Sequence, residues 1–377
     1  MPAARRSRAR TTTRTRTRTR AKAPQLHEVD LELHPNEASD LLPAECASVV
    51  EAHGWERAFY TVLDEGVIED CIAVLGHAPG EDPAHGWESH RVHCLPGRGA
   101  EKTEDAEALA RKDGWVHVIG SHYGSKAGPL EARRAFMARF REAELTGDLA
   151  EAHPRLEISR NRFAVHRAIN DALRASSYEL LEPGPRMRKA FIDATIKLGE
   201  KKKKRWAGRV QEGDFPLNIE GAAFSPWGTL LIGLRYPVAR DGSPVMVELL
   251  DVERLFEDED SAVHAGAIWK IEGPGRAELP RGFRALHANG RELHAIFGSL
   301  DALGKKSSLI EDFPEGGEAF AEHWTFRLRK GGGRLKAEKV REFPNQRSVE
   351  GLAVADGHLF YVVDEDERVN VRFLRVD

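Results

Sequence analysis

The sequence predicts an all-β fold of the propeller type, with about five four-stranded blades and six as the alternative. Three observations predict it. A short Glu-centred strand start recurs along the chain. Each copy leads into a tight-turn signal and a second β-rich run. The N-terminal segment also matches the strand that the last copy lacks. Internal repetition is the sequence mark of architectures whose single repeats cannot bury their apolar faces alone.

The clearest starts are Asn218-Ile219-Glu220-Gly221-Ala222-Ala223 and Ser348-Val349-Glu350-Gly351-Leu352-Ala353. Asp105-Ala106-Glu107-Ala108-Leu109-Ala110 follows the same pattern. Weaker copies are Gly282-Phe283-Arg284-Ala285-Leu286-His287, with Arg in the Glu position, and Pro43-Ala44-Glu45-Cys46-Ala47-Ser48. About six positions on stand Asp113-Gly114, Pro226-Trp227-Gly228, Asn289-Gly290 and Asp356-Gly357. These residues tolerate the positive φ of tight hairpin turns. The returning strands are 115–119, 229–234, 293–297 and 359–363; the first copy takes a longer turn around His53-Gly54-Trp55 before 59–63. Third strands are expected at 135–141, 245–250, 324–329 and 369–376, and fourth strands at 267–271 and 336–343. Four antiparallel strands repeated in this way form a propeller blade.

The repeated residues at 107, 220, 284 and 350 are 113, 64 and 66 positions apart. The long first interval predicts a helical insertion near 165–200, within about 150–212. Ile169 and Leu173, and then Met187, Phe191, Ala194 and Leu198, have helical spacing. Gly199 is the expected stop of the second helix, and 201–205 reads as an exposed basic loop. The last copy ends after its third strand. Residues 28–35 resemble 338–344, the strand before the last start. The N-terminal strand is therefore expected to complete the last blade, which removes a sheet edge.

The chain has 377 residues, 41% hydrophobic and 31% charged, enough for one large domain over 25–377. No apolar run is long enough for a membrane helix, and no apolar segment follows the arginine-rich start as in a signal peptide. Three cysteines (Cys46, Cys71, Cys94) lack metal-site spacing and fit a reducing, cytoplasmic setting. The net charge of -4 hides a tail: residues 1–24 hold eight Arg and one Lys and no acid, which leaves -13 on the rest. Such a tail is expected to be disordered. It is either solvated, an artefact of a start placed upstream, or a contact for nucleic acid or an anionic surface. Binding of nucleic acid is not expected elsewhere, because the folded part repels phosphate. A monomer is expected.

The segments 105–122, 218–237 and 348–366 resemble the bacterial family catalogued as domain of unknown function 3616. The resemblance spans roughly residues 40–377. It implies a propeller-type fold and no established activity. Similar Glu-Gly-Leu-Ala hairpins occur in the esterase-like domain of certain phytases. Arg284 and the start around Cys46 depart from the pattern.

In a propeller the inner strands line the central channel. With a turn six residues after each start, one rim is expected to gather Glu107, Glu220, Glu350, Glu45 and Arg284. Returning strands bring His122, Arg235, Ser299, Asp64 and Asp364 to it. Ring closure sets Glu350 and Asp364 beside Glu45 and Asp64, where four carboxylates need protons, an arginine or a cation. Oxygen-rich clusters suit Ca²⁺ or Mg²⁺. Arg235 and Arg284 are placed to bind phosphate or carboxylate. A plainer reading makes each Glu a structural brace that accepts backbone N–H bonds from the next blade, with Arg284 as internal counter-ion. His122 is read as an ordinary polar residue before a ligand or base. No P-loop, dinucleotide fingerprint, His-Glu-x-x-His or Gly-x-Ser-x-Gly motif is present. Three functions follow: a module binding a small ligand, a protein partner or a divalent cation at an acidic rim; a metal-assisted phosphate or ester hydrolase; or association with nucleic acid or an anionic surface through the tail. Whether the protein is an enzyme is left open by the sequence.

Overall fold

A computed structural model describes residues 26–31, 33, 38–63, 66–97, 103–149, 151–159, 161–257, 261–301, 307–365 and 368–375. The basic tail lies outside them. The first sheet is β2 (Ala38–Pro43), β3 (Arg57–Leu63), β4 (Ile72–His77) and β5 (Trp87–Val92), hydrogen-bonded in that order. The second is β6 (Ala106–Lys112), β7 (Trp115–Gly120), β8 (Met137–Arg141) and β9 (Glu157–Ile158). The third unit is β10 (Asn218–Phe224), β11 (Leu230–Tyr236), β12 (Val245–Leu250) and β13 (His264–Glu272). The fourth is β14 (Gly282–Asn289), β15 (Glu292–Gly298), β16 (Glu322–Arg327) and β17 (Gly333–Glu342). Outer strands β13 and β17 pair in parallel, Trp269 opposite Gly333, and merge these two units into one eight-stranded sheet.

The last unit is β18 (Val349–Ala355), β19 (His358–Glu365) and β20 (Arg368–Arg375), completed by β1 (His27–Leu31). β1 lies antiparallel to β20 with His27 opposite Phe373 and Leu31 opposite Val369. The first strand of the described residues thus supplies the fourth strand of the last unit.

The inner strands β2, β6, β10, β14 and β18 neighbour one another cyclically, β18 lying against β2. The described residues therefore form a closed ring of five four-stranded units. Apolar cores sit between neighbouring units. One joins Ala223, Leu231 and Met246 to Phe283, Phe297 and Trp324 across the third and fourth units. Another joins Phe59, Val62 and Val74 to Phe360 and Val371 across the closure. Strands packed on both faces lose the in-out alternation of a half-exposed sheet. Accordingly β11 is buried along its whole length.

The insertion lies between β9 and β10. Its first helix is Ala164–Ala175, with Val165, Ile169 and Leu173 facing the core. The second runs without a break through Pro185–Met187, a π-helical stretch Arg188–Asp193, and Ala194–Lys201. Gly199 does not stop it. A Cβ there would come within 2.6 Å of the Trp206 ring, so glycine is required by packing. Residues 201–205 are exposed. No helix of the described residues is long and apolar enough to cross a membrane.

Candidate functional site

Every inner strand is interrupted at one residue. Ala106 pairs with Gly120 and Ala108 with Ile119, so the strand register skips Glu107 between them. Glu220, Arg284 and Glu350 are skipped in the same way. In β2 the pairing jumps from Ser39 to Leu42, so Asp40 and Leu41 oppose Thr61. Such bulges kink a strand and re-aim a side chain. The repeated charged residue is thus the bulge residue of its blade.

At the N-terminal ends of the inner strands the bulge side chains of Glu107, Glu220, Arg284 and Glu350 line one cavity of about 620 Å³. One carboxylate oxygen from each of Glu107, Glu220 and Glu350 lies within 4.8 Å of the others. Arg284 enters this triad: its Nη2 donates to Glu350, and its Nε lies 3.6 Å from Glu220 Oε2. Arg235 donates to Glu220 Oε1 at 2.8 Å and to the Ser299 carbonyl at 3.1 Å. Asn218 Nδ2 adds a bond to Glu220 at 3.3 Å, and the Ser39 hydroxyl donates to Glu350 Oε2 at 3.3 Å. Burial pulls the Arg235 pKa down, but Glu220 and then Asp301 more than offset it, so the net shift is upward. For Arg284 burial, and then the neighbouring Arg235 charge, win, and the shift is downward.

The wall continues with Asp105, which accepts from Ser121 and from Arg134 at 2.8 Å. Burial raises its pKa against the pull of Arg134. Asp301 accepts from Ser307. Six carboxylates (Asp105, Glu107, Glu220, Asp301, Glu350, Asp364) face five cationic side chains (Lys126, Arg134, Arg235, Arg284, Arg347). The expected acidic rim is therefore close to charge balance.

Glu107, Glu220, Glu350, Arg235, Arg284, Ser299 and Asp364 are brought together as the register argument placed them. Asp64 lies outside the described residues. Glu45 is elsewhere, because the first inner strand is 38–43 and the bulge falls on Asp40, at φ 59°. Glu45 follows the strand's far end. There it borders a second cavity of about 270 Å³, pairs with Arg111 and leaves its side chain 75% exposed. His122 is buried but does not line the cavity. Its φ of 59° turns it aside, its Nδ1–H donates to the Gly120 carbonyl at 2.9 Å, and burial pushes its pKa down to about 4. Tyr123, one residue on, lines the cavity instead.

Asp105, Tyr123, Lys126, Arg134, Asn218, Asp301 and Arg347 were not singled out from the sequence. A signal was present for some: Asp105, Asn218 and Ser348 each stand two residues before the repeated Glu, and all three line the cavity. The brace geometry appears in the first blade. Asp40 Oδ2 accepts from Leu109 N–H of the next inner strand at 2.6 Å, and Oδ1 from Leu41 N–H at 2.8 Å. Burial raises the Asp40 pKa to about 7 in spite of both bonds.

A divalent cation fits the Glu107, Glu220, Glu350 cluster poorly. The Arg284 guanidinium already touches two of the three carboxylates, and like charges at such range repel strongly away from bulk water.

No known protein-family model and no curated protein matches this chain. Among solved structures, the PQQ-bound aldose sugar dehydrogenase of Streptomyces coelicolor aligns over 93% of this chain and 99% of its own, at 12% identity and a TM-score of 0.38. A putative glycosidase of Bacteroides thetaiotaomicron aligns over 90% of this chain and 87% of its own, at 9% identity and a TM-score of 0.38. Likenesses this remote carry no argument about activity. The propeller-type architecture rests on the strand order above.

Proposed function

We propose that the protein is a binding module that holds a small polar ligand in its central cavity. The observation that carries this is the unmet hydrogen-bonding capacity of the cavity wall. Tyr123, Asn218 and Arg284 are all more than nine-tenths buried. Each lines the cavity and leaves a polar atom without a protein partner: the Tyr123 hydroxyl, Asn218 Oδ1 and Arg284 Nη1. Buried polar atoms left unpaired cost about 1–3 kcal/mol each, so three in one cavity mark a place built for polar company. The position of Arg284 favours a ligand over Ca²⁺ or Mg²⁺. We also propose membership of the family of domain of unknown function 3616, supported by the inner-strand motifs at 105–110, 218–223 and 348–353. A cytoplasmic monomer completes the reading; the three cysteines, none of them in a disulfide among the described residues, support a reducing setting.

The test is thermal shift of the full chain against neutral polyols, amino acids, hydroxy acids and phosphate, with separate Ca²⁺, Mg²⁺ and EDTA arms. A ligand at one hundred times its Kd stabilises by about 2.7 kcal/mol, which raises Tm by several degrees. Saturable stabilisation by a polar small molecule is expected. A shift with Ca²⁺ or Mg²⁺ alone, reversed by EDTA, would move the reading to a cation site. No shift in any arm would sink it.

A further inference from the structure

We propose that the central cavity takes an oxyanion that also carries a hydroxyl, held by Arg284 Nη1 and the Tyr123 hydroxyl, with Arg347 lining the same cavity. This rests on the reading of the cavity as a ligand site and names the chemistry it would select.

The polar atoms left over in the cavity wall point to this chemistry. Each of the six carboxylates already has at least one partner. Glu220 accepts from Arg235 and Asn218, Glu350 from Arg284 and Ser39, Asp105 from Ser121 and Arg134, and Asp301 from Ser307. Glu107 and Asp364 have partners as well. The buried atoms of the wall that have no protein partner are mostly donors: Arg284 Nε and Nη1, Arg347 Nε and the Tyr123 hydroxyl, beside the acceptor Asn218 Oδ1. A site that looks acidic by composition therefore offers N–H and O–H groups. Hydrogen bonds from a guanidinium to an anionic oxygen are among the strong ones. Asn218 Oδ1 asks for one ligand donor, as in an α-hydroxy carboxylate or a protonated phosphate.

The donors are also held in place. The Tyr123 ring stacks on Phe191 with centroids 4.5 Å apart, and Phe191 belongs to the π-helical stretch of the insertion. π-helical turns are frequent at functional sites. A fixed donor loses little freedom on binding. Arg284 sits beside Arg235, whose charge disfavours its own; an oxyanion at Nη1 would offset that repulsion.

Calorimetric titration of the full chain with inorganic phosphate, L-lactate and glycerol tests this. Saturable binding of phosphate or lactate, and none of glycerol, is expected; which of the two binds decides between a phosphate and a carboxylate source. Tyr123→Phe removes one oxygen and should weaken that binding about tenfold while Tm stays near wild type. Arg284→Met should abolish it, but that change also unpairs Glu350, so Tyr123→Phe is the deciding variant. Glycerol binding with neither oxyanion bound overturns the oxyanion and leaves the polar-ligand reading standing. Undiminished oxyanion affinity in Tyr123→Phe overturns the assignment of the donor. No binding of any probe, together with a flat thermal-shift panel, brings down both.

Discussion

Removing residues 1–33 should nearly abolish the stability of the ring. The deletion takes away β1, whose five residues pair with β20 from His27 opposite Phe373 to Leu31 opposite Val369. An antiparallel pair of this length carries about five backbone bonds, each worth about 1 kcal/mol net. Leu31 and Leu33 are 7% and 8% exposed, and burying each is worth about 2 kcal/mol. The loss comes to about 9 kcal/mol, within the 5–15 kcal/mol that holds a typical domain together. Urea denaturation followed by tryptophan fluorescence reads it as a large fall in midpoint. A control lacking only residues 1–24 should denature like the full chain. If the longer deletion left both the midpoint and Tm unchanged, closure by β1 would not be what holds the last blade, and the reasoning would fail.

Further expectations follow from single side chains. Asp40 has a pKa raised from 3.8 to about 7 by burial. A raised carboxyl favours folding below its unfolded pKa and loses that contribution as pH climbs through about 4 to 7, by about 4 kcal/mol in all. Asp40→Asn should flatten that part of the Tm-versus-pH curve; an unchanged slope would clear Asp40 of the effect. Glu220→Gln removes the negative charge 2.8 Å from buried Arg235 and should cost about 3–5 kcal/mol, read as a lower urea midpoint. At Gly351 a Cβ would sit 2.7 Å from the Asp40 carbonyl carbon. Gly351→Ala should therefore cost about 1–3 kcal/mol, seen as a drop of several degrees in Tm.

The fold was legible where its local rules are strong. Positive-φ turns such as Asp113-Gly114 and Asp356-Gly357 sit where hairpins need them, and a count of residues from Glu to turn put Arg235, Ser299 and Asp364 at the right end of the blade. The start of the first blade was not legible, for two physical reasons. Its bulge residue is Asp40, not Glu, and its first two strands are joined through a helix, Ala47–Ala52, in place of a two-residue turn. With neither the residue type nor the turn as marker, the repeat pattern points to Glu45, five positions beyond Asp40 and past the end of the inner strand. His122 shows a finer limit: the spacing fixed its position on the strand, but its left-handed φ redirected the side chain. The sequence reading has no counterpart for β4 and β5 of the first blade or for β9, which at two residues is too short to show alternation. The charge of the site could not be read from residue types alone. Arg134 and Lys126 lie in connections outside the repeat and reach the cavity only through the folded chain.

The parallel pairing of β13 with β17 makes the ring mechanically uneven. Four rungs, Trp269 with Gly333 through Glu272 with Lys336, clasp the outer rims of two adjacent blades. Heat or pulling force will not find this seam first. It will find the seam where β1 holds β20, because that strand belongs to no hairpin and can peel away alone. Opening there would loosen the wall carrying Glu350 and Asp364 and leave the wall carrying Glu220, Arg235 and Arg284 intact. A ring of like blades thus has one hinge and one clasp, and its cavity has one wall that can yield and one that stays fixed. Amide exchange should separate them, with β20 exchanging well before β13.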